Sequence, residues 1–345
     1  MSDHFYRAFE DRYRGSRELI KERLKAYLPF ILPLLQAYPQ GQAIDLGCGR
    51  GEWLELLAEV GLLSKGIDLD DGMLDACRKL GLAAEQGDAI AHLSGLPDES
   101  QVLVSAFHVV EHISFDKLQT LVKQALRVLK PGGLLIMETP NPENILVATC
   151  NFYLDPSHER PVPPLLLSFL AEYVGFSRVK TVRLQEPEGL LSKAKVNLRD
   201  VLGGVSPDYA TVAQKRAPHE IFELSDAAFD REIGLDLGNL IYRWDVRFNA
   251  VEEINQQLIL KAKQADATTE LALLKAKQAN SAASEAHRAA SEAHAFAQLA
   301  HNEAKHLHVH ASNIETRLQE MQASASWQIT APLRWICTQV LRLKR

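Results

Sequence analysis

Ala43-Ile44-Asp45-Leu46-Gly47-Cys48-Gly49-Arg50-Gly51 runs from an apolar stretch with an acid near its end, through three alternating glycines, to a helix-forming run that opens at about Glu52. Glycine adopts positive φ without strain and lets a backbone come close to a ligand, and a helix start offers free N–H groups. The stretch therefore predicts a strand, a loop and a helix that together cradle a cofactor. A glycine loop alone also serves as a structural turn, so the residues that follow it decide the reading. Lys65-Gly66-Ile67-Asp68 reads as a second short strand ending in an acid, roughly 20 residues on, where a carboxylate can hold a ribose diol. Gly87-Asp88 closes a third segment and brings an acid to an adenine edge. Residues 102–107 read as a fourth strand running into His108-Val109-Val110-Glu111-His112. Ala125-Leu126-Arg127-Val128-Leu129-Lys130-Pro131-Gly132-Gly133 gives a helix and a proline-glycine stop before an apolar strand at 134–138;.

In this order, Asp-Leu-Gly-Cys-Gly-Arg-Gly, Gly-Ile-Asp-Leu, Gly-Asp-Ala, Val-Val-Glu-His and Leu-Lys-Pro-Gly-Gly resemble the class I S-adenosylmethionine-dependent methyltransferases over roughly residues 40–215;. The loop is Gly-x-Gly-x-Gly, not the Gly-x-Gly-x-x-Gly of dehydrogenases. The resemblance implies an α/β fold with a Rossmann-like seven-stranded sheet, whose antiparallel edge comes from strands at about 177–184 and 208–215. It implies S-adenosylmethionine as cofactor. Carried over residue by residue, it assigns cofactor contacts to Asp45, Gly47, Cys48, Gly49, Gly51, Asp68, Leu69, Asp88, Ala89 and Phe107. Asp45 and the glycines would seat the methionine moiety, Asp68 the ribose and Asp88 the adenine.

The chain has 345 residues, 46% of them hydrophobic, enough for one α/β core with about 130 residues left for an appendage;. A formal charge of −6 gives no general attraction to nucleic acid, and none is expected as a partner;. Cys48, Cys77, Cys150 and Cys337 form no CxxC pair, which suits a reducing compartment, and no apolar run is long enough to span a bilayer;. The expected place is the cytoplasm, with peripheral attachment to the cytoplasmic face of the inner membrane as a further expectation. Residues 1–40 carry Phe5, Phe9, Leu19, Leu24, Tyr27 and Leu28 among charges and read as an amphipathic helical lid;. Within it, Arg14 or Arg17 either meets the cofactor carboxylate or an anionic substrate, or belongs to a solvated face.

Thr139-Pro140-Asn141-Pro142-Glu143-Asn144 is a turn-rich loop at the carboxyl end of the sheet, where open α/β sheets place their ligands;. Beyond it, Asn151 to Pro161 offers aromatics, charges and His158 before a helix at 164–173. Methyl transfer to an alcohol needs the hydroxyl proton removed, and histidine suits that task at neutral pH. Sugar and small-molecule methyltransferases of similar sequence carry an Asp-Pro-x-His element here. That resemblance makes His158 the expected base, the other reading being that it only orders its loop through Asp155 or Glu159. His108, Glu111, His112, Asn141, Tyr153 and Arg160 are expected around the acceptor. His108 and His112 stand four residues apart, as on one helical face, but no metal site is expected.

From Phe248 onward, small or apolar residues recur at spacings of three and four, from Val251, Leu258, Ala262 and Ala265 to Ile314, Leu318 and Met321. Asn255 and Thr269 are polar interruptions, and His287, His294, His301 and His308 share one register. The pattern predicts an alanine-rich coiled coil, reaching roughly 110 Å as one helix. Homo- or hetero-oligomerisation through it is expected. The end, with Trp327, Trp335, Arg342, Lys344 and Arg345, reads as a short basic amphipathic helix for a membrane surface or a glycosyltransferase partner;. Ser324-Ala325-Ser326-Trp327 to Arg334 is similar to a segment that follows coiled coils in bacterial lipopolysaccharide O-antigen enzymes. The implied organisation is a lid at 1–40, a methyltransferase domain at 41–216, a linker at 217–247, a coiled coil at 248–323 and a tail at 324–345. The implied activity is O-methylation of a sugar hydroxyl on a glycan or glycolipid. A small-molecule methyltransferase and a scaffold with an inactive methyltransferase fold stay open as alternatives.

Overall fold

The computed structural model describes residues 15–280 and 286–324. The arginine- and aromatic-rich element ending at Arg14 and the basic tail from Ala325 lie outside the described residues. The chain divides into two compact units, Met1–Lys193 with Leu198–Leu237, and Ala194–Asn197 with Gly238–Arg345.

The first unit is built on seven strands: β1 (Gln42–Leu46), β2 (Leu63–Asp68), β3 (Ala84–Gln86), β4 (Gln101–Phe107), β5 (Leu129–Pro140), β6 (Arg178–Leu184) and β7 (Asp208–Gln214). Their order is β3-β2-β1-β4-β5-β7-β6. β1 to β5 are parallel, and β7 runs antiparallel to both β5 and β6, which gives the Rossmann-like mixed sheet. From β1 the chain steps outward to β2 and β3, then returns to lay β4 on the other side of β1. This reversal makes the boundary between β1 and β4 a switch point, and a crevice opens at the carboxyl ends of the strands there.

The central strands read as continuous apolar runs because both faces of the sheet are covered. Val102, Leu103 and Val104 are fully buried, as are Leu134 to Met137. One face receives the helix Phe115–Val128 through Leu118, Leu121, Val122 and Ala125, which recur at helical spacing;. The other receives Trp53, Leu56 and Leu57, together with Tyr27, Phe30, Ile31 and Leu34 from the N-terminal segment. The N-terminal segment thus contributes to the core as well as to the mouth of the crevice. β5 starts at Leu129, earlier than residue 134, because Pro131-Gly132-Gly133 is carried inside the strand as a register shift against β4;.

Two glycines show why the loop after β1 needs its composition. Gly47 has φ 72°, and a Cβ there would stand 2.5 Å from Val109 Cγ2. On β2, a Cβ at Gly66 would meet Cys48 Sγ at 2.4 Å and Leu54 Cδ1 at 2.7 Å, so only glycine lets the loop lie against the strand;.

The second unit contains two long helices, the first running through Leu237–Asn280 and the second through Ala286–Ala323. A single rod is ruled out by Asp266 Oδ1, which lies 3.8 Å from His301 Nδ1. Residues 35 positions apart on one straight helix would be separated by about 52 Å. The second helix therefore returns alongside the first as a hairpin. Beyond the buried cluster Leu240, Ile241 and Trp244 at its start, its buried positions fall at intervals of seven: Asn255, Ala262, Thr269 and Ala276 on one helix, Ala297, Ala304 and Ala311 on the other. Asn255 and Thr269, expected as interruptions, belong to this seam, where Thr269 Oγ1 donates to the Ala265 carbonyl at 2.8 Å. Among the described residues no helix is long and apolar enough to cross a membrane.

Candidate active site

A cavity of about 700 Å³ opens at the carboxyl ends of the central strands in the first unit. Its two sides are built differently. On one side each strand delivers an acid. Asp45 is buried near the end of β1, where Ser105 Oγ donates to its Oδ1 at 2.7 Å. Asp68 ends β2 and accepts from the Gly49 N–H at 2.7 Å and the Asp70 N–H at 2.9 Å, which fixes it beside the glycine loop. Asp88, just past β3, caps the helix Ala89–Gly95 by accepting from the Ala91 N–H at 2.8 Å;. Every expected cofactor residue lines the cavity except Gly51, which sits behind it in the left-handed conformation that starts the helix Glu52–Glu59. Arg17 does not reach the cavity. Its guanidinium donates to Glu55 Oε2 and to the Arg50 carbonyl at 2.7 Å, bracing the loop from outside.

On the other side, polar groups converge from separated parts of the chain. His108 follows β4 with φ 54°, a strained conformation for a residue with a Cβ;. Its Nδ1 lies 3.1 Å from Glu111 Oε1, and its Nε2 lies 3.4 Å from Glu138 Oε1. The ring opens onto the cavity on one side and loses solvation in the crevice on the other, but the two carboxylates outweigh that loss and hold the imidazolium well above the ordinary histidine range;. Glu111 is sealed beneath the cavity, with Thr139 Oγ1 donating to its Oε2 at 2.9 Å. Glu138 stands near the end of β5 and accepts from the Tyr27 hydroxyl. Asp208 opens β7 in the same group. Burial pushes its carboxyl up to about 7, with Glu138 and Glu111 adding to the rise and His108 and Arg23 opposing it.

His158 reaches the cavity from the segment between the short turn Asn151–Leu154 and the helix Pro164–Val174. Its Nδ1 lies 2.6 Å from the Phe152 carbonyl, which can only accept. Nδ1 therefore carries the proton and Nε2 keeps the lone pair. Burial lowers the pKa of this ring below the ordinary value, so it is neutral at neutral pH;. Its neighbour His112 packs edge-on at 4.7 Å between centroids, with Nδ1 3.0 Å from Ser157 Oγ. Because Ser157 Oγ donates to Asp155 Oδ1 at 2.6 Å, it accepts from His112.

The segment 44–137 matches the Methyltransferase domain family. A Mycolicibacterium smegmatis protein named Probable S-adenosylmethionine-dependent methyltransferase is 30% identical over 195 residues, spanning 56% of this chain and 73% of its own. A crystal structure of a SAM dependent methyltransferase from Archaeoglobus fulgidus, 35% identical, superposes with a TM-score of 0.55 over 61% of this chain and all of that one. This chain belongs to the S-adenosylmethionine-dependent methyltransferases. A further relative of the methyltransferase, the Ubiquinone biosynthesis O-methyltransferase of Methylococcus capsulatus, is 33% identical over 127 residues, which is 34% of this chain and 52% of the relative.

The first side of the methyltransferase cavity fits this cofactor by its donor set. S-adenosylmethionine brings hydrogen-bond donors, namely an ammonium, two ribose hydroxyls and an adenine amino group, and three strand-end carboxylates are there to accept from them;. The residues expected around the acceptor divide. His108 and His112 line the cavity and Glu111 lies directly beneath it. The two histidines do not share a helical face, because the helical turn is only Val110–His112 and His108 stands outside it. Asn141, Tyr153 and Arg160 do not line the cavity. Asn141 is buried as a loop brace, donating to the Ser206 carbonyl at 2.8 Å and accepting from the Glu143 N–H at 3.0 Å. Tyr153 is exposed and packs on Phe152, and the Arg160 guanidinium lies over the Phe115 ring at 4.9 Å. Sequence reasoning missed Arg23, Tyr27, Glu138 and Asp208. Glu138 carried a usable signal, since it is an acid near the carboxyl end of an apolar strand, like Asp45 and Asp68.

Proposed function

We propose that this methyltransferase acts on a sugar hydroxyl of a cell-surface glycan, with His158 as the general base. The observation that carries the reading is the hydrogen bond from His158 Nδ1 to the Phe152 carbonyl, which leaves a neutral ring whose Nε2 lone pair, 3.9 Å from Asp155 Oδ2, can take a proton;. His108 is unsuited to that role because both its nitrogens face carboxylates. Residues 47–51, Asp45, Asp68 and Asp88 would hold the cofactor. When bound, S-adenosylmethionine supplies an electrophilic methyl carbon, its C–S bond breaking as the acceptor's C–O bond forms. His158 takes the hydroxyl proton, and the cavity walls supply the alignment on which such a displacement depends.

Glu138 and Asp208 among the lining residues support a neutral hydroxylated acceptor over a carboxylic acid, which their carboxylates would repel;. The name of the Methylococcus relative, an O-methyltransferase, agrees with an oxygen acceptor. Leu260, Leu271, Leu274, Phe296 and Leu299 remain exposed on the hairpin and support self-association there;. The basic segment after Ser324 supports peripheral contact with the inner membrane or a glycosyltransferase;. The test is transfer of labelled methyl from S-adenosylmethionine to a panel of free and lipid-linked glycans by wild type and His158→Ala. Labelled glycan from wild type alone is expected. Labelling confined to small organic acids would overturn the glycan reading.

A further inference from the structure

The floor of the cavity holds a set of groups that the base and the cofactor contacts leave unused. His108, Glu138 and Asp208 each bring one ligating atom, and these atoms lie within 4.8 Å of one another. All three residues line the cavity, and the His108 side chain is 44% exposed, so the group is open to a ligand from that side. They come from three strand ends, just after β4, near the end of β5 and at the start of β7.

We propose that His108, Glu138 and Asp208 form a site for a hard divalent cation of the Mn²⁺ or Mg²⁺ class, which grips the acceptor's hydroxyl oxygens. Three features of the surroundings carry the assignment. Two of the three ligands are already oriented from behind, as metal ligands are. His108 is held through Nδ1 by Glu111, itself fixed by Thr139, so that Nε2 points at Glu138. Glu138 keeps Oε1 toward that nitrogen while Oε2 accepts from Tyr27. Asp208 accepts no hydrogen bond among the described residues, so its carboxylate is uncommitted. The second feature is charge. Glu111, Glu138 and Asp208 gather around one imidazole, with Arg23 the other cation whose charge reaches Asp208. A divalent ion balances that excess. The third is the ligand type. Two carboxylates with one imidazole favour Mn²⁺ and Mg²⁺ over the thiolate-loving metals. The neighbouring trio Glu111, His112 and His158 is equally tight, but Glu111 does not line the cavity and both its oxygens are engaged.

Three protein ligands leave coordination positions of an octahedral ion facing the cavity. A pair of adjacent hydroxyls fits them, and the cation would lower the pKa of the one to be methylated before His158 takes its proton. That last role rests on the glycan reading. The site itself does not.

The test is a titration of the full-length, chelator-stripped protein with MnCl₂, read by loss of the free Mn²⁺ electron paramagnetic resonance signal. Saturation at one Mn²⁺ per chain is expected, weakened at least about tenfold in Asp208→Asn and in His108→Ala. S-adenosylhomocysteine binding should be unchanged in both variants, which shows that they are folded. No saturable uptake by wild type, or Asp208→Asn titrating like wild type, would overturn the site. Glycan methylation that is indifferent to chelation would overturn the cation's role with the acceptor. Specific Mn²⁺ binding with no glycan labelled would uphold the site and count against the glycan reading alone.

Discussion

The catalytic unit and the helical hairpin hold themselves together with opposite kinds of side chain. Between the sheet and its helices, Leu118, Leu121, Ile136 and Met137 are buried, and their bulk spaces the layers. Along the seam of the hairpin beyond Asn255 the fully buried places go to Ala262, Thr269, Ala297 and Ala304, whose small size lets two helices approach closely;. A core of large side chains fixes the ends of several strands in space, and those ends are where the acids and histidines of the site stand. A seam of alanines fixes only a distance and a register. This is why the chemistry is concentrated in the first unit.

Variants can break or sharpen that contrast. The largest effect should come from the site the core supports. His158→Ala should lower turnover by about 10²–10⁴ while leaving cofactor affinity unchanged, as measured by single-turnover kinetics and calorimetry. Leu121→Ala, a deletion in the sheet core, should destabilise the catalytic unit by about 2–5 kcal/mol in urea unfolding. Asp68→Ala should weaken S-adenosylmethionine binding by about 10–100-fold, the scale of a lost charged hydrogen bond, without loss of fold. In the hairpin the damaging change is addition: Ala304→Leu should cost about 1–3 kcal/mol, seen as earlier loss of helical circular dichroism, with methyl transfer retained. Equal tolerance of Leu at 304 and Ala at 121 would erase the contrast.

The smallest expected effect is the response to pH. The proposed base form of His158 is neutral, and burial lowers its pKa, so that form persists to lower pH than a free histidine allows;. Turnover should change by less than about twofold between pH 6.5 and 8 and fall only on further acidification. His158→Ala should remove the acid limb.

The sequence by itself determined the cofactor side. A strand, glycine loop and helix, and an acid at each of the first strand ends, are local patterns in which neighbours in the chain are neighbours in space. Residues 43–51, Asp68 and Asp88 could therefore be placed at strand ends from spacing, and the family resemblance supplied their expected roles. Seven-residue periodicity likewise determined that Phe248 to Ala323 is helical among the described residues, because the period is a property of one helix. It could not determine what the seam packs against, and only the approach of Asp266 to His301 showed that the partner is the same chain. The acceptor side was decided by tertiary structure. Tyr27, His108, Glu138 and Asp208 meet only because β7 inserts antiparallel beside β5, and because the N-terminal segment packs on that face of the sheet. For the same reason Asn141 and Arg160, polar residues in promising loops, turned away to brace a carbonyl and cover a ring. Contacts between distant segments depend on how the layers pack, and packing depends on volumes summed over the whole core, which no short stretch of sequence contains.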